Sequence, residues 1–165
     1  MRLALAILAL IPSIALASDA PPASDLFACT FQNGGKAVKF DIYGDTVRYR
    51  FGKPGQTPEL VVLRTVREAG MRPWNGVGSS IWDEVSVENQ GVTYLANAWA
   101  DRNAGDDSPV NGTLLVMQGE EQLAELTCDK GSVRGNIYLL YEAKERAGQH
   151  WCMDSFTWRN GACDG

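Results

Sequence analysis

The chain has one histidine, His150, and no Cys-X-X-Cys pair among its four cysteines. The first scarcity leaves any Ser-His or Cys-His mechanism a single candidate base, set between Gln149 and Trp151. The second removes the usual zinc-ligand spacing, since His150 precedes Cys152 by only two positions. His150 therefore reads as a tail residue. Past the N-terminus no apolar run approaches the ~20 residues a membrane helix needs, so no membrane span is expected. Basic residues are in deficit: 15 Lys and Arg stand against 20 Asp and Glu, a formal charge of −5. That sign disfavours nucleic acid and anionic lipid and suits a cationic partner.

The familiar glycine motifs are incomplete as well. In "PWNGVGSSIW", residues 73–82, Gly76-Val77-Gly78 opens a G-x-G-x-x-G, but Ile81 stands at the third glycine position. No alternation of strands and helices surrounds it, which excludes a dinucleotide fingerprint. Neither Ser79 nor Ser80 has glycines two residues away on both sides, so the hydrolase elbow is absent. "DRNAGDDSPVNG" starts like a calcium loop at Asp101 and Asn103, yet Gly105 takes the third ligand position and Gly112 the place of the bidentate Glu. No cofactor motif is left. The acid pairs Asp83-Glu84, Asp106-Asp107 and Glu120-Glu121 would point to opposite faces of a strand, unsuited to act as an acid/base couple.

What is there begins with "MRLALAILALIPSIALASDA". Arg2, an apolar run to about Leu16, and Ala15 and Ala17 at the A-x-A positions read as a signal peptide over residues 1–17. Its loss, with Arg2, takes the charge from −5 to −6. A lipobox at Cys29 is disfavoured because polar "SDAPPASD" separates that cysteine from the apolar run. This segment, 18–25, reads as a disordered leader, and the expected location is periplasmic or secreted.

An even number of cysteines in an exported chain favours two disulfides. Cys29 sits in the first expected strand and Cys128 ends the last, while Cys152 and Cys163 share a short tail; the expected pairs are Cys29–Cys128 and Cys152–Cys163. Between Leu26 and Cys128, period-two alternation marks strands. Val38, Phe40 and Ile42, then Val47, Tyr49 and Phe51, fall on one face opposite Lys39, Asp41, Arg48 and Arg50. Eight such short runs, joined by turns such as "ENQG" and "QGEE", predict a mainly β domain over residues 26–133. An antiparallel barrel or sandwich is expected, with the barrel preferred because closure removes strand edges. Residues 134–165 predict a helix, with Asn136 as N-cap and Gly148 as stop, docking through Leu140 and Tyr141. A disulfide-closed loop follows, with Trp151 and Trp158 covering apolar surface.

Two readings of residues 73–82 stand side by side. Trp74, Asn75, Gly76, Gly78, Ser79, Ser80 and Trp82 have the composition of a binding loop, large rigid aromatics beside small adaptable residues. Alternatively, Trp74 and Trp82 anchor a structural plug over one mouth of the barrel. Exposure of the two indoles distinguishes them.

From "ACTFQNGGKAVKF" through "YRFGKPGQTPEL", "PWNGVGSSIWDEV" and "ADRN" to "LTCDKGSV", roughly Leu26 to Val133, the chain resembles a group of small exported proteobacterial proteins of unassigned function. The resemblance implies export, a β-rich domain and a paired Cys29 and Cys128, and brings no activity. In architecture the chain is also similar to the periplasmic inhibitors of c-type lysozyme, in which a loop containing serine and glycine precedes an aromatic residue, as Gly78, Ser79, Ser80 and Trp82 do here with different spacing. The leading expectation is a non-enzymatic periplasmic binding or inhibitor protein acting on an envelope protein or glycan, a lysozyme among the candidates. A structural envelope protein without a dedicated ligand site is the alternative, and a carboxylate glycan hydrolase the third reading.

Overall fold

The computed structural model describes residues 22–105 and 108–163; the expected signal peptide, the first half of the leader and the acid pair Asp106-Asp107 lie outside them. Four strands, β1 (Ser24–Phe31), β2 (Lys36–Tyr43), β3 (Thr46–Gly52) and β4 (Leu60–Thr65), form an antiparallel sheet in sequence order. Five more, β5 (Gly70–Arg72), β6 (Ser80–Asn89), β7 (Val92–Asp101), β8 (Asn111–Gln118) and β9 (Glu121–Thr127), form a second meander. Helix α1 (Tyr138–Arg146) and a hairpin of β10 (Gln149–Cys152) and β11 (Thr157–Asn160) complete the chain. The first strand starts at Ser24, so Ser24 and Asp25, expected in the leader, pair with Ile42 and Asp41.

The alternation seen in the sequence sets which face is inside. Phe27, Phe31, Val38, Phe40, Val47 and Tyr49 from the first sheet and Val85, Val87, Ala96 and Leu114 from the second are buried in one core. Tyr49 and Tyr94 stack across the two layers with ring centroids 4.9 Å apart. The tight turns follow their residues: Gln90 and Gly91 both have positive φ, the backbone that a two-residue β6–β7 hairpin demands.

Two expectations need correction. Eleven strands are present among the described residues where eight were expected, because three-residue β5 is too short to show alternation and the tail loop pairs with itself as β10–β11. The expected closed barrel is also wrong: the two sheets face each other without a continuous ladder between them. The free edge of β1 is taken by the segment that follows β9. Ala28 and Arg134 exchange backbone hydrogen bonds of 2.8 and 2.9 Å, Asp129 N–H donates to Thr30 O, and Asn136 N–H donates to Asp25 O. With those groups satisfied, β9 has nothing to pair with on β1, and the Cys29–Cys128 disulfide bridges the seam instead. Gly135 makes the close approach possible: its φ is +114° and a Cβ there would lie 2.6 Å from Leu26 O. The second disulfide joins Cys152 to Cys163, and no thiol remains free.

The helix docks as its periodicity suggests. Ile137, Leu140, Ala143 and Lys144 are buried, and Tyr141 packs edge-on to Trp158. Asn136 Oδ1 accepts from Tyr138 N–H, and Gly148, at φ +79°, stops the helix by donating to Glu145 O. Lys144 is unusual, a lysine with 1% of its surface exposed. Its Nζ donates to Arg67 O and Gln149 Oε1, and lies 5.3 Å from the Trp158 ring centre. Burial, helped by the nearby Arg67 guanidinium, lowers its pKa to about 8. Between that value and the unfolded lysine range the unfolded chain binds more protons, so stability rises with pH through this window. From pH ~7.5 to ~10 the gain from this group is about 2 kcal/mol. Urea titrations at both pH values should show it in the wild type and not in Lys144→Met; equal pH slopes would refute the assignment.

Candidate functional site

Residues 73–79 connect β5 to β6 at one end of the second sheet. The loop is held by its own polar groups: Trp74 N–H donates to Asp83 Oδ1, the Trp74 indole donates to Val77 O, and Val77 N–H donates to Asn75 Oδ1. Gly76 and Gly78, at φ +82° and +102°, allow the chain to turn twice within four residues. Arg102 ties the loop to the next turn, its N–H donating to Ser79 O and its guanidinium lying 5.3 Å from the Trp74 ring centre.

Trp74, Asn75, Ser80 and Trp82 are half-buried, and Gly76, Gly78 and Ser79 are exposed. Neither tryptophan is part of the buried core cluster, and Val77 at the tip is 72% exposed. Pleating then separates the decapeptide's end. Trp82 lies on the outer face of β6, whereas Asp83 shares the inner face with Val85 and Val87.

On that outer face Trp82 sits directly opposite Trp99 of β7, a residue the sequence reading did not single out. The signal existed. A turn at Gln90-Gly91 pairs Asn89 with Val92 and, counting back along both strands, Trp82 with Trp99. One rung further along lie Arg72, Glu84, Asn97 and Thr113, opposite one another in turn across β5 to β8. Asn97 Nδ2 donates to Glu84 Oε1 at 3.3 Å, and the Arg72 guanidinium stands 5.4 Å from the Trp82 ring centre. Trp82, Trp99, Glu84, Asn97 and Thr113 are all half-exposed. An aromatic rung thus adjoins a polar rung, about 7 Å away on the same face.

Beneath the loop, on the inner side, is a cavity of about 240 Å³ lined mainly by apolar residues, among them Leu26, Phe27, Ala98 and Ile137. Asp83 is its one carboxylate, and burial pushes that group above the ordinary aspartate range, partly offset by the Trp74 N–H. Paired-acid hydrolysis needs a second carboxyl facing the first, and Glu84 points to the other face. His150 is exposed in β10, opposite Arg159. Asp101 uses Oδ1 to accept from Asn103 N–H, and no group of three or more potential metal ligands occurs among the described residues. No family model, curated protein or solved structure matches the chain.

Proposed function

We propose that this is a non-enzymatic binding protein of an exported, oxidising compartment, the periplasm or the medium, and that it holds an envelope glycan on the outer face of the second sheet. The observation that carries this reading is the Trp82–Trp99 rung beside the Arg72, Glu84, Asn97 and Thr113 rung. A pyranose presents an apolar C–H face ringed by hydroxyls. Flat indoles suit the first and convergent hydrogen-bonding side chains the second. The loop at 73–79, through Trp74 and Ser79, would extend the contact along a longer chain. Two disulfides fit the compartment, and among the described residues no helix is long and apolar enough to cross a membrane.

The test is a fluorescence or calorimetric titration with soluble peptidoglycan fragments and neutral oligosaccharides. Trp82→Ala with Trp99→Ala should weaken binding about 30-fold, roughly 1 kcal/mol per indole, with the far-UV spectrum unchanged. Undiminished binding by that variant would remove the site. A second reading, an inhibitor that engages a cationic protein such as a lysozyme, is favoured by the net charge of −5 and by the exposed acids Glu120, Glu121 and Glu125 near the β8–β9 turn. Lysozyme inhibition insensitive to the two tryptophans, without any glycan binding, would favour it over the first.

A further inference from the structure

The chain is acidic, yet one of its cavities is basic. Four of its 15 Lys and Arg residues, Lys39, Arg50, Lys53 and Arg134, line a pocket of about 280 Å³ on the outer face of the first sheet, and no Asp or Glu among the described residues does. Three structural elements bring these cations together. Lys39 and Arg50 face outward from directly paired positions on β2 and β3. Lys53 stands on the β3–β4 loop, whose Pro54, Gly55 and Gln56 form one wall. Arg134 arrives on the segment that pairs with Ala28 along the far edge of β1.

Their charges are only partly matched. Asp25 pairs with Lys39 and sits 4.0 Å from Arg134, and Asp41 holds Arg50 through one Nη at 2.6 Å while also engaging Arg48. The Arg50 side chain is 33% exposed and adds positive charge to the pocket wall, while its Nε is buried without an acceptor, out of reach of an entering molecule. Lys53 has no acidic partner among the described residues. Gln56 and Thr30 add neutral polar groups to the same wall. A net positive concavity with low-dielectric walls focuses potential on an entering anion even in a chain of opposite overall charge. Its volume lies just below the range of drug-sized ligand sites, which fits a molecule the size of one sugar.

We propose that this pocket binds a small organic anion, a molecule of about monosaccharide size bearing one phosphate or carboxylate group. The site is on the opposite sheet from the tryptophan rung and does not depend on the glycan reading. The experiment is an amide-shift titration of the intact domain with glucose 6-phosphate, glucuronate, inorganic phosphate and glucose. At least one of the first two should perturb Lys39, Arg50, the 52–56 loop and Arg134; which one does identifies the group recognised. Lys53→Glu and Arg134→Gln, both at exposed positions, should each weaken binding about tenfold, and raised ionic strength should weaken it further. Absence of these shifts at millimolar ligand would overturn the proposal. So would unchanged affinity in Lys53→Glu, equal binding of glucose, or inorganic phosphate matching both organic anions.

Discussion

Replacing Cys29 and Cys128 together by alanine is expected to lower the free energy of unfolding by about 4 to 5 kcal/mol, much of what a domain of this size possesses. The bridge closes a loop with a sequence separation of 99, against 11 for Cys152–Cys163. On the chain-entropy account the shorter loop is worth roughly 3 kcal/mol, so the two double variants should rank in that order in urea titrations. The first bridge also stands where hydrogen bonding is thin. Cys128 N–H donates to Gly112 O in the second sheet, and the next residue, Asp129, donates across to Thr30 O in the first. Asp129 reinforces the seam by accepting from the Thr30 hydroxyl and from Asn33 and Gly34 N–H, bonds that hold its carboxyl below the usual aspartate range. A loss under about 1 kcal/mol from the Cys29/Cys128 variant would mean that these hydrogen bonds hold the seam without the covalent bridge.

Arg48→Met with Arg50→Met is expected to cost about 3 to 5 kcal/mol, because it leaves the Asp41 carboxylate buried and unpaired. Asp41 has no exposed side-chain surface, while the arginines that grip it remain 31% and 33% exposed. Arg48 binds it through two nitrogens, Nε to Oδ1 at 3.0 Å and Nη2 to Oδ2 at 3.1 Å. The asymmetry in exposure predicts an asymmetry in the mutants. Asp41→Ala frees two guanidinium groups that water can reach, and should cost distinctly less than the double arginine variant. Thermal and denaturant unfolding of the two proteins provide the comparison; a larger loss from Asp41→Ala would show that the arginines, not the acid, suffer the greater desolvation.

Asp41 also marks where pattern reading stops. Period two places it with Lys39, Arg48 and Arg50 on the side away from the core, and the structure agrees on the face. It is nevertheless fully buried, since Arg48 from the directly opposite position and Arg50 from the diagonal one lie over it. Lys144 shows the same limit on a helix. Lying four residues after Leu140, it shares the docking side of the helix, but only the positions of Arg67 O, Gln149 and Trp158 explain how an amine is accommodated there. The tryptophan rung is the opposite case. Strand alternation together with a Gln-Gly turn fixes which residues face each other, so Trp99 was accessible to counting. The basic pocket was not, because Lys53 and Arg134 are far apart in sequence and share no periodic relation to Lys39.

By itself the sequence determined the strand faces, the cysteine pairs and the docking side of the helix. Each of these follows from local rules: alternation at period two, position of cysteines at the first and last strands, and apolar spacing near 3.6. Tertiary structure alone decided that the sheets do not close into a barrel, since that depends on which backbone occupies the free edge of β1. The segment 129–136, admitted by Gly135, occupies that edge. The same event brings Arg134 beside Lys39, so the choice that kept the barrel open also assembled the basic pocket.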